Sequence, residues 1–565
     1  MAPTLYLLCG LPGAGKTTRA KELEAAGKGV LLNADRWVWR LHPDDAEAAA
    51  RDERKAAVEE LQWSLAERLL LSGISVIADW GLWSRAERDF YRQRASDLGA
   101  DARIVFVDAQ LEELHERIAQ RNRNPPVGTF HVSAQELDEW ASIFEAPTQN
   151  ESALPEPGRS DALPSGLPFR DMSTAPDMLD PANIEAAAID QAGGLTDFDG
   201  DEWREGLDRF VASLRADAQL NEMGPIVAAT QVTNALASRL KIIDQHNQHP
   251  EIAETPVAPP IVIAGQPRTG TTILFDLLAQ DPQLRAPLTW EVDAPVPPPE
   301  TATYETDPRI AKAAEGAALS EAVMPGFQAI HPSGPSRAQE CVAIMVGDCK
   351  SLQLGTVFRV PTYTRWLLND ADMSSTYRYH RQFLQVLQWK HRGERWILKT
   401  PAHQWHFAEL FATYPDATVI HNHRDPLKVV ASVSSLMTSL QRLGRDEAPI
   451  QEIAAEWFDY LTDGNDRSVA ARLDGTVPAK QFIDVAFRGL MQDTFGTIES
   501  IYGQLGLDYT DEARVAMESF LADNAADKHG RHTYTFADTG LDLTASRERV
   551  SDYESHFSVE REVSP

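Results

Sequence analysis

Cysteine is scarce in this chain, and positive charge is in deficit. Cys9, Cys341 and Cys349 fit neither a disulfide framework nor a zinc-ligand spacing. They read as buried thiols of a reducing compartment. Acidic residues outnumber basic ones by 84 to 53, a formal net charge of -31. That balance argues against a general nucleic-acid binder, because phosphate backbones need clustered Lys and Arg. It argues equally against an anionic membrane surface as the main partner. A small anionic ligand remains compatible, since a few local cations and backbone N–H groups bind phosphate inside an acidic protein. No run has the length and apolarity of a transmembrane helix. The apolar opening MAPTLYLLCG lacks a basic stretch and runs into a glycine loop, so it reads as a first strand rather than a signal peptide. The cytoplasm is the expected location.

What is present is a soluble globular composition, 43% hydrophobic and 24% charged. The length of 565 residues predicts two or three domains. Short apolar runs at Thr4–Cys9, Val30–Leu32, Ser75–Asp79 and Ile104–Asp108 alternate with helical patterns at 55–71, 88–98 and 111–122. Such alternation predicts a parallel sheet covered on both faces. From about residue 145 to 177 the chain is rich in Pro, Ser and Gly without periodicity. It reads as a linker, so the expected domains are 1–147, a linker at 148–179, and 180–565. The second begins with a mostly helical stretch, 181–246. Strand candidates follow at 261–264, 396–398, 418–421 and 481–484. The fold class is therefore α/β: two P-loop-type three-layer units with parallel central sheets, the second with added helices.

Each unit opens on a glycine loop between a strand and a helix. Gly10, Gly13, Gly15, Lys16 and Thr17 complete G-x-x-x-x-G-K-[ST], followed by Thr18. The glycines let N–H groups face phosphates, Lys16 would reach the β- and γ-phosphates, and Thr17 would hold Mg²⁺. This is a specific signal for ATP-like ligands. Asp35 follows the second strand and could act as a base, with Arg36 beside it as an anion ligand; a surface turn is the rival reading. Asp79 ends the third strand, where it could reach Mg²⁺ or simply cap the next turn. Arg117, Arg121 and Arg123 close a helix before NPPVG, as lid cations for a phosphoryl group or as a solvated helix end. LCGLPGAGKTT, LNADRW, ADWGLWSRAERD, FVDAQLEELHERIAQRN and FEAPT resemble small bacterial P-loop kinase-like proteins related to zeta-toxin-like, polynucleotide-kinase-like and chloramphenicol-phosphotransferase-like enzymes. That resemblance implies an ATP/Mg²⁺ phosphotransferase fold with Asp35 in the place of the base. An adenylylsulfate kinase, which would make a sulfate donor, and a purely regulatory ATP-binding module are the alternatives. Those kinases carry Asp-Gly-Asp where this chain has Asn33-Ala34-Asp35.

The second loop, Gly265 to Thr272, has Arg268, Thr269, Gly270, Thr271 and Thr272 at a helix start. One cation and several hydroxyls suit a phosphate or sulfate there, though a tight turn reads as fairly. Lys399 ends a strand before Pro401 and His403. Arg424-Asp425-Pro426 ends another, with Ser432 eight residues beyond Arg424. These segments, in this order, resemble the sulfotransferases that use 3′-phosphoadenosine 5′-phosphosulfate (PAPS) over about residues 180–560. The resemblance implies 5′-phosphosulfate binding by 265–272, 3′-phosphate binding by Arg424 and Ser432, and a late basic-glycine segment at Lys528, Gly530 and Arg531. It implies charge stabilisation by Arg268 and Lys399, without a metal. Cytosolic animal members carry the basic His where this chain has Pro401. Other branches use a Glu shortly after the first helix, a place that Glu291 takes here, so the resemblance implies Glu291 as the first candidate base and His403 as the second, although a capping carboxylate and an ordinary helix-start residue are the plain readings. His331 and Glu340 are further candidates for the acceptor pocket. The acceptor is expected to be a small or lipid-like molecule carrying a hydroxyl.

Overall fold

The computed structural model describes residues 3–41, parts of 55–70, 74–123, 132–148, 151, 178–221, 224–323, 334–524 and 534–563. His331, Lys528, Gly530 and Arg531 lie outside the described residues. The chain falls mainly into two compact units, one before residue 178 and one after it.

In the first unit, strands β1 (Thr4–Cys9), β2 (Val30–Asn33), β3 (Val76–Gly81) and β4 (Asp101–Phe106) pair in parallel in the order β2-β3-β1-β4. Helices α1 (Lys16–Ala25), α2 (Ala34–Leu41), α3 (Arg85–Asp97), α4 (Leu111–Arg123) and α5 (Ala134–Ile143) lie between and after them. Every residue of β1 is buried, as expected of a central strand covered on both faces. Ser84 and Ser133 start α3 and α5 with capping boxes to Glu87 and Glu136, which satisfy N–H groups left open at the helix ends. The fourth strand begins at Asp101, earlier than its apolar run, because parallel pairing with Thr4 extends it.

In the second unit, α6 (Pro181–Gln191), α7 (Glu202–Asp217) and α8 (Gly224–Gln248) precede a five-stranded parallel sheet. Its strands are β5 (Ile261–Gly265), β6 (Leu284–Arg285), β7 (Arg395–Lys399), β8 (Thr418–His423) and β9 (Phe482–Ala486), in the order β6-β7-β5-β8-β9. Alternation along β5 divides its side chains between two cores. Val262 and Ala264 join one with α7 and α8, while Ile261 and Ile263 join another. The second unit is thus layered on both sheet faces. Parallel pairing brings the carboxyl ends of β5, β7 and β8 together, where loops of such sheets bind ligands.

The helical lead-in is fastened by a buried ion pair. Arg239 on α8 donates to Asp348 Oδ1 at 2.8 Å and to the Phe198 carbonyl at 2.7 Å. Asp348 Oδ2 accepts from Ser375 and Thr376 at 2.7 and 2.8 Å. With both partners almost wholly buried, removing one leaves an uncompensated charge. Asp348→Ala should therefore lower the unfolding free energy of this unit by about 3–5 kcal/mol, read by urea unfolding. A loss below about 1 kcal/mol would show that water relaxes into the gap.

Candidate functional site

The first unit places its loop where β1 meets α1. Gly10 has φ +149°, and a Cβ there would sit 2.3 Å from the Val107 carbonyl oxygen. Gly13 and Gly15, at φ +85° and +106°, complete the left-handed turn. Lys16 Nζ folds back over the loop and donates to the carbonyls of Gly10 at 2.7 Å and Leu11 at 3.1 Å. Thr17 and Asn33 both donate to one oxygen of Asp79, at 2.8 and 2.6 Å. Burial raises the pKa of Asp79, opposed by Lys16, and burial lowers that of Lys16, opposed by Asp79. Asp35 is paired with Lys55 at 2.9 Å. Burial lowers the pKa of Arg121, and the charge of Asp35 acts against it. Arg117 donates to the Gly13 and Ala14 carbonyls at 3.3 Å each, so it braces the loop. Thr18 is exposed, as is Arg123.

In the second unit the loop after β5 is more tightly held. Gly265 has φ +123°, and a Cβ would lie 2.4 Å from the Asn422 carbonyl oxygen. Arg268 is left-handed at φ +67°, an uncommon conformation for a long side chain. Gly270 caps α9 (Thr271–Leu278), with Phe487 and Leu490 packed behind it. Asn422 donates to the Thr269 carbonyl at 3.2 Å, and the Thr269 hydroxyl to the Gln266 carbonyl at 2.7 Å.

Three cations converge on this loop. Arg268 Nε donates to Ser432 Oγ at 3.0 Å, on α10 (Pro426–Gln441). Arg424 Nη1 donates to the Arg268 carbonyl at 2.8 Å. Lys399 Nζ donates to Thr272 Oγ1 at 3.1 Å and pairs with Glu340. The rest of Arg424 is also engaged: Nε and Nη2 meet the two oxygens of Glu562 at 2.7 and 2.8 Å. Its guanidinium lies 3.7 Å from the centroid of Phe487. Asp425 accepts from Leu427 N to start α10, and from Arg547, Glu562 N and Val563 N. It thereby holds the 562–563 backbone beside Arg424. Burial lowers the pKa of Arg268, while a hydrogen bond to Tyr534 opposes the shift.

The two candidate bases are placed differently. Glu291 is fully buried. Arg285 donates to one of its oxygens at 2.6 Å and Leu288 N to the other at 2.9 Å. Burial raises its pKa against the pull of Arg285. His403 is buried, its Nδ1 bonded to the Tyr377 hydroxyl at 2.8 Å, and desolvation holds its pKa well below the usual imidazole range. Glu340, on the other hand, is partly exposed and touches Lys399. Phe487, Tyr534, Asn422 and Glu562 carry no sequence signal of their own. Asn422, two residues before Arg424, is the nearest to one.

These features define a parallel α/β unit with a glycine loop at a helix start, preceded by a unit with a complete P-loop. A model described as "Sulfotransferase family" matches residues 259–511, and one described as "AAA domain" matches residues 5–147. The crystal structure of sulfotransferase STF9 from Mycobacterium avium is 30% identical. It covers 70% of this chain and all of that one, with a TM-score of 0.62. Omega-hydroxy-beta-dihydromenaquinone-9 sulfotransferase Stf3 of Mycobacterium tuberculosis is 27% identical over 301 residues, half of this chain and 72% of that protein. Nucleotide-binding protein Smlt1108 of Stenotrophomonas maltophilia is 26% identical over 151 residues, 27% of this chain and 46% of that protein. The chain belongs to the sulfotransferase family and carries a P-loop nucleotide-binding domain before it.

The left-handed Arg268 yields a check on whether the loop stores strain for its ligand. A non-glycine residue in this region costs about 1–2 kcal/mol. Arg268→Gly should keep the unfolding midpoint at or near that of the parent, whereas Arg268→Val should lower stability by about 1–2 kcal/mol. Equal stability of the two variants, by thermal unfolding, would contradict the strain.

Proposed function

We propose that residues 180–565 transfer a sulfuryl group from PAPS to a hydroxyl of a small apolar or lipid-like acceptor, and that residues 1–147 bind ATP with Mg²⁺ as a phosphotransferase. The observation that carries the first reading is the convergence of Arg268, Ser432, Arg424, Lys399 and Thr272 on one loop. Arg268 and the N–H groups at the start of α9 suit the 5′-phosphosulfate. Arg424 and Ser432 flank the loop from α10 and the end of β8, a geometry suited to a 3′-phosphate. The hydroxylated quinone in the name of the tuberculosis relative supports an apolar acceptor.

The chemistry asks for a base and a cation. Glu340 takes the acceptor hydroxyl proton, the acceptor oxygen bonds to sulfur, and the bond from sulfur to the bridging oxygen of the donor breaks. Lys399 stabilises the charge arriving on that oxygen. The products are a sulfate ester and adenosine 3′,5′-bisphosphate. The Lys399–Glu340 pair keeps the two groups together until Lys399 turns to the leaving oxygen and frees the carboxylate. Glu291, locked to Arg285, and His403, desolvated against Tyr377, fit structural roles better.

In the first unit, the Thr17 hydroxyl and Asp79 carboxylate are hard oxygen donors that suit Mg²⁺. When bound, the ion would offset charge between the β- and γ-phosphates. Asp35, beside Lys55 and in the field of Arg121, is the base in this reading.

Turnover and binding measurements test the proposal. With labelled PAPS and an aliphatic alcohol acceptor, Glu340→Gln should lower kcat by about 10²–10⁴-fold, while Glu291→Gln should act mainly through stability. A Glu340→Gln enzyme with parental kcat would remove Glu340 from this role. Absence of any sulfated product and of PAPS binding by calorimetry would remove the reading itself. Glu562 occupies two hydrogen-bonding positions of Arg424, so its carboxylate competes with the donor phosphate. Calorimetry with adenosine 3′,5′-bisphosphate should show Glu562→Ala binding about 3–10-fold tighter, and Arg424→Ala at least about 10-fold weaker. Unchanged affinity in Glu562→Ala would mean that the phosphate binds elsewhere. Lys16→Ala should abolish MgATP binding while leaving sulfuryl transfer from supplied PAPS intact.

A further inference from the structure

Beside the donor loop lies a cluster that this reading does not use. His421 and His423 are two apart on β8 and so project from one face of the sheet. Asp484 on β9 is the parallel-register partner of His421 and shares that face. One ligand atom from each of the three lies within 4.8 Å of the others. Asp484 Oδ1 is 3.0 Å from His423 Nε2 and 4.0 Å from His421 Nδ1. Tetrahedral zinc with bonds of about 2.0–2.1 Å spaces its donor atoms about 3.3 Å apart, so small side-chain shifts would close the set.

A second, independent observation is that His421 is fully buried and neither of its ring nitrogens has a hydrogen-bond partner among the described residues. Buried polar groups are ordinarily satisfied, and one left open calls for a water or an ion. Phe407, Phe482 and Phe557 surround His421 with ring centroids at 5.6, 6.3 and 5.4 Å, and offer it no polar partner. The other ring is already oriented. His423 Nδ1 is bonded to the Tyr553 hydroxyl at 2.8 Å, and Phe557 stacks on it at 3.9 Å. That is the outer-shell arrangement that presents the opposite nitrogen to a metal.

We propose that His421, His423 and Asp484 form a zinc-type divalent cation site, with a water completing the coordination from the exposed side of Asp484. Two imidazoles and one carboxylate select a borderline cation such as Zn²⁺ over Mg²⁺ or Ca²⁺. The site is structural: it would tie β8 to β9 and, through Tyr553, to the 551–556 helix, immediately before Arg424. Two contacts oppose it: the hydrogen bond between His423 Nε2 and Asp484 Oδ1, which a cation would displace, and Arg472. Arg472 donates to both oxygens of Asp484, at 3.0 and 2.8 Å, and its charge reduces the attraction of the carboxylate for a cation. The dissociation constant is therefore expected on the order of 1 μM, not in the range of all-cysteine structural sites.

The test is a titration of the full chain with Zn²⁺ against a chromophoric chelator, with Co²⁺ as the spectroscopic probe. One zinc per chain should bind, and Co²⁺ should give the visible bands of a low-coordinate site. The His421→Gln, His423→Gln double variant, checked for folding by circular dichroism, should bind at least about 30-fold more weakly and lose the bands. Arg472→Gln, in which the three ligands are intact, should bind about 10-fold more tightly. Absence of stoichiometric zinc uptake by the parent chain overturns the proposal, even if the double variant fails to fold. Uptake that is the same in the double variant, or unchanged in Arg472→Gln, also overturns it.

Discussion

One guanidinium organises the second unit's site. Arg424 fixes the loop by donating to the Arg268 carbonyl, lies against Phe487, and holds Glu562. Asp425 next to it starts α10 and gathers Arg547 and the 562–563 backbone. Two consecutive residues at the end of β8 therefore join the glycine loop, the helix bearing Ser432, and the segment near residue 562. Charge-assisted hydrogen bonds with fixed fork geometry do this better than a flexible ammonium could. This explains how an acidic chain can concentrate cations at one loop: they are few, and backbone carbonyls and carboxylates aim them.

Much of this was legible in the sequence. A glycine loop advertises itself because positive φ and close backbone approach are local demands, as Gly10 and Gly265 illustrate. Strands β1 and β5 are short apolar runs that lead directly into those loops, so their placement followed. Lys399, Arg424 and Ser432 stand at strand ends or one helical face, where spacing along the chain already implies proximity. The helical lead-in was readable too, since α6 to α8 carry apolar periodicity and Asp180 caps α6.

The remainder depended on contacts that no local pattern encodes. The pairing of Glu291 with Arg285 in the interior, and of Glu340 with Lys399, is a matter of contacts that neither carboxylate's own neighbourhood reveals. Strand β6 is two residues long and exists only through pairing with Arg395 and Trp396. Glu562 sits 138 residues from its partner Arg424, and nothing in its neighbourhood distinguishes it from other acidic residues of the chain. The Asp348 network is similarly assembled from separate helices, and its members look in sequence like ordinary surface polar residues.

The packing behind Gly270 has a consequence for transplanting the 265–272 loop. Phe487 and Leu490 lie 3.2 and 3.1 Å from where a Cβ would stand, and Phe487 is also the shelf under Arg424. The eight residues 265–272 are thus half of a device whose other half follows β9, more than two hundred positions later. Grafted alone onto another parallel sheet, the loop would keep its glycines but lose the wall that sets its curvature and the surface that steadies its arginine. A portable version of this loop must carry the Phe487–Leu490 turn with it.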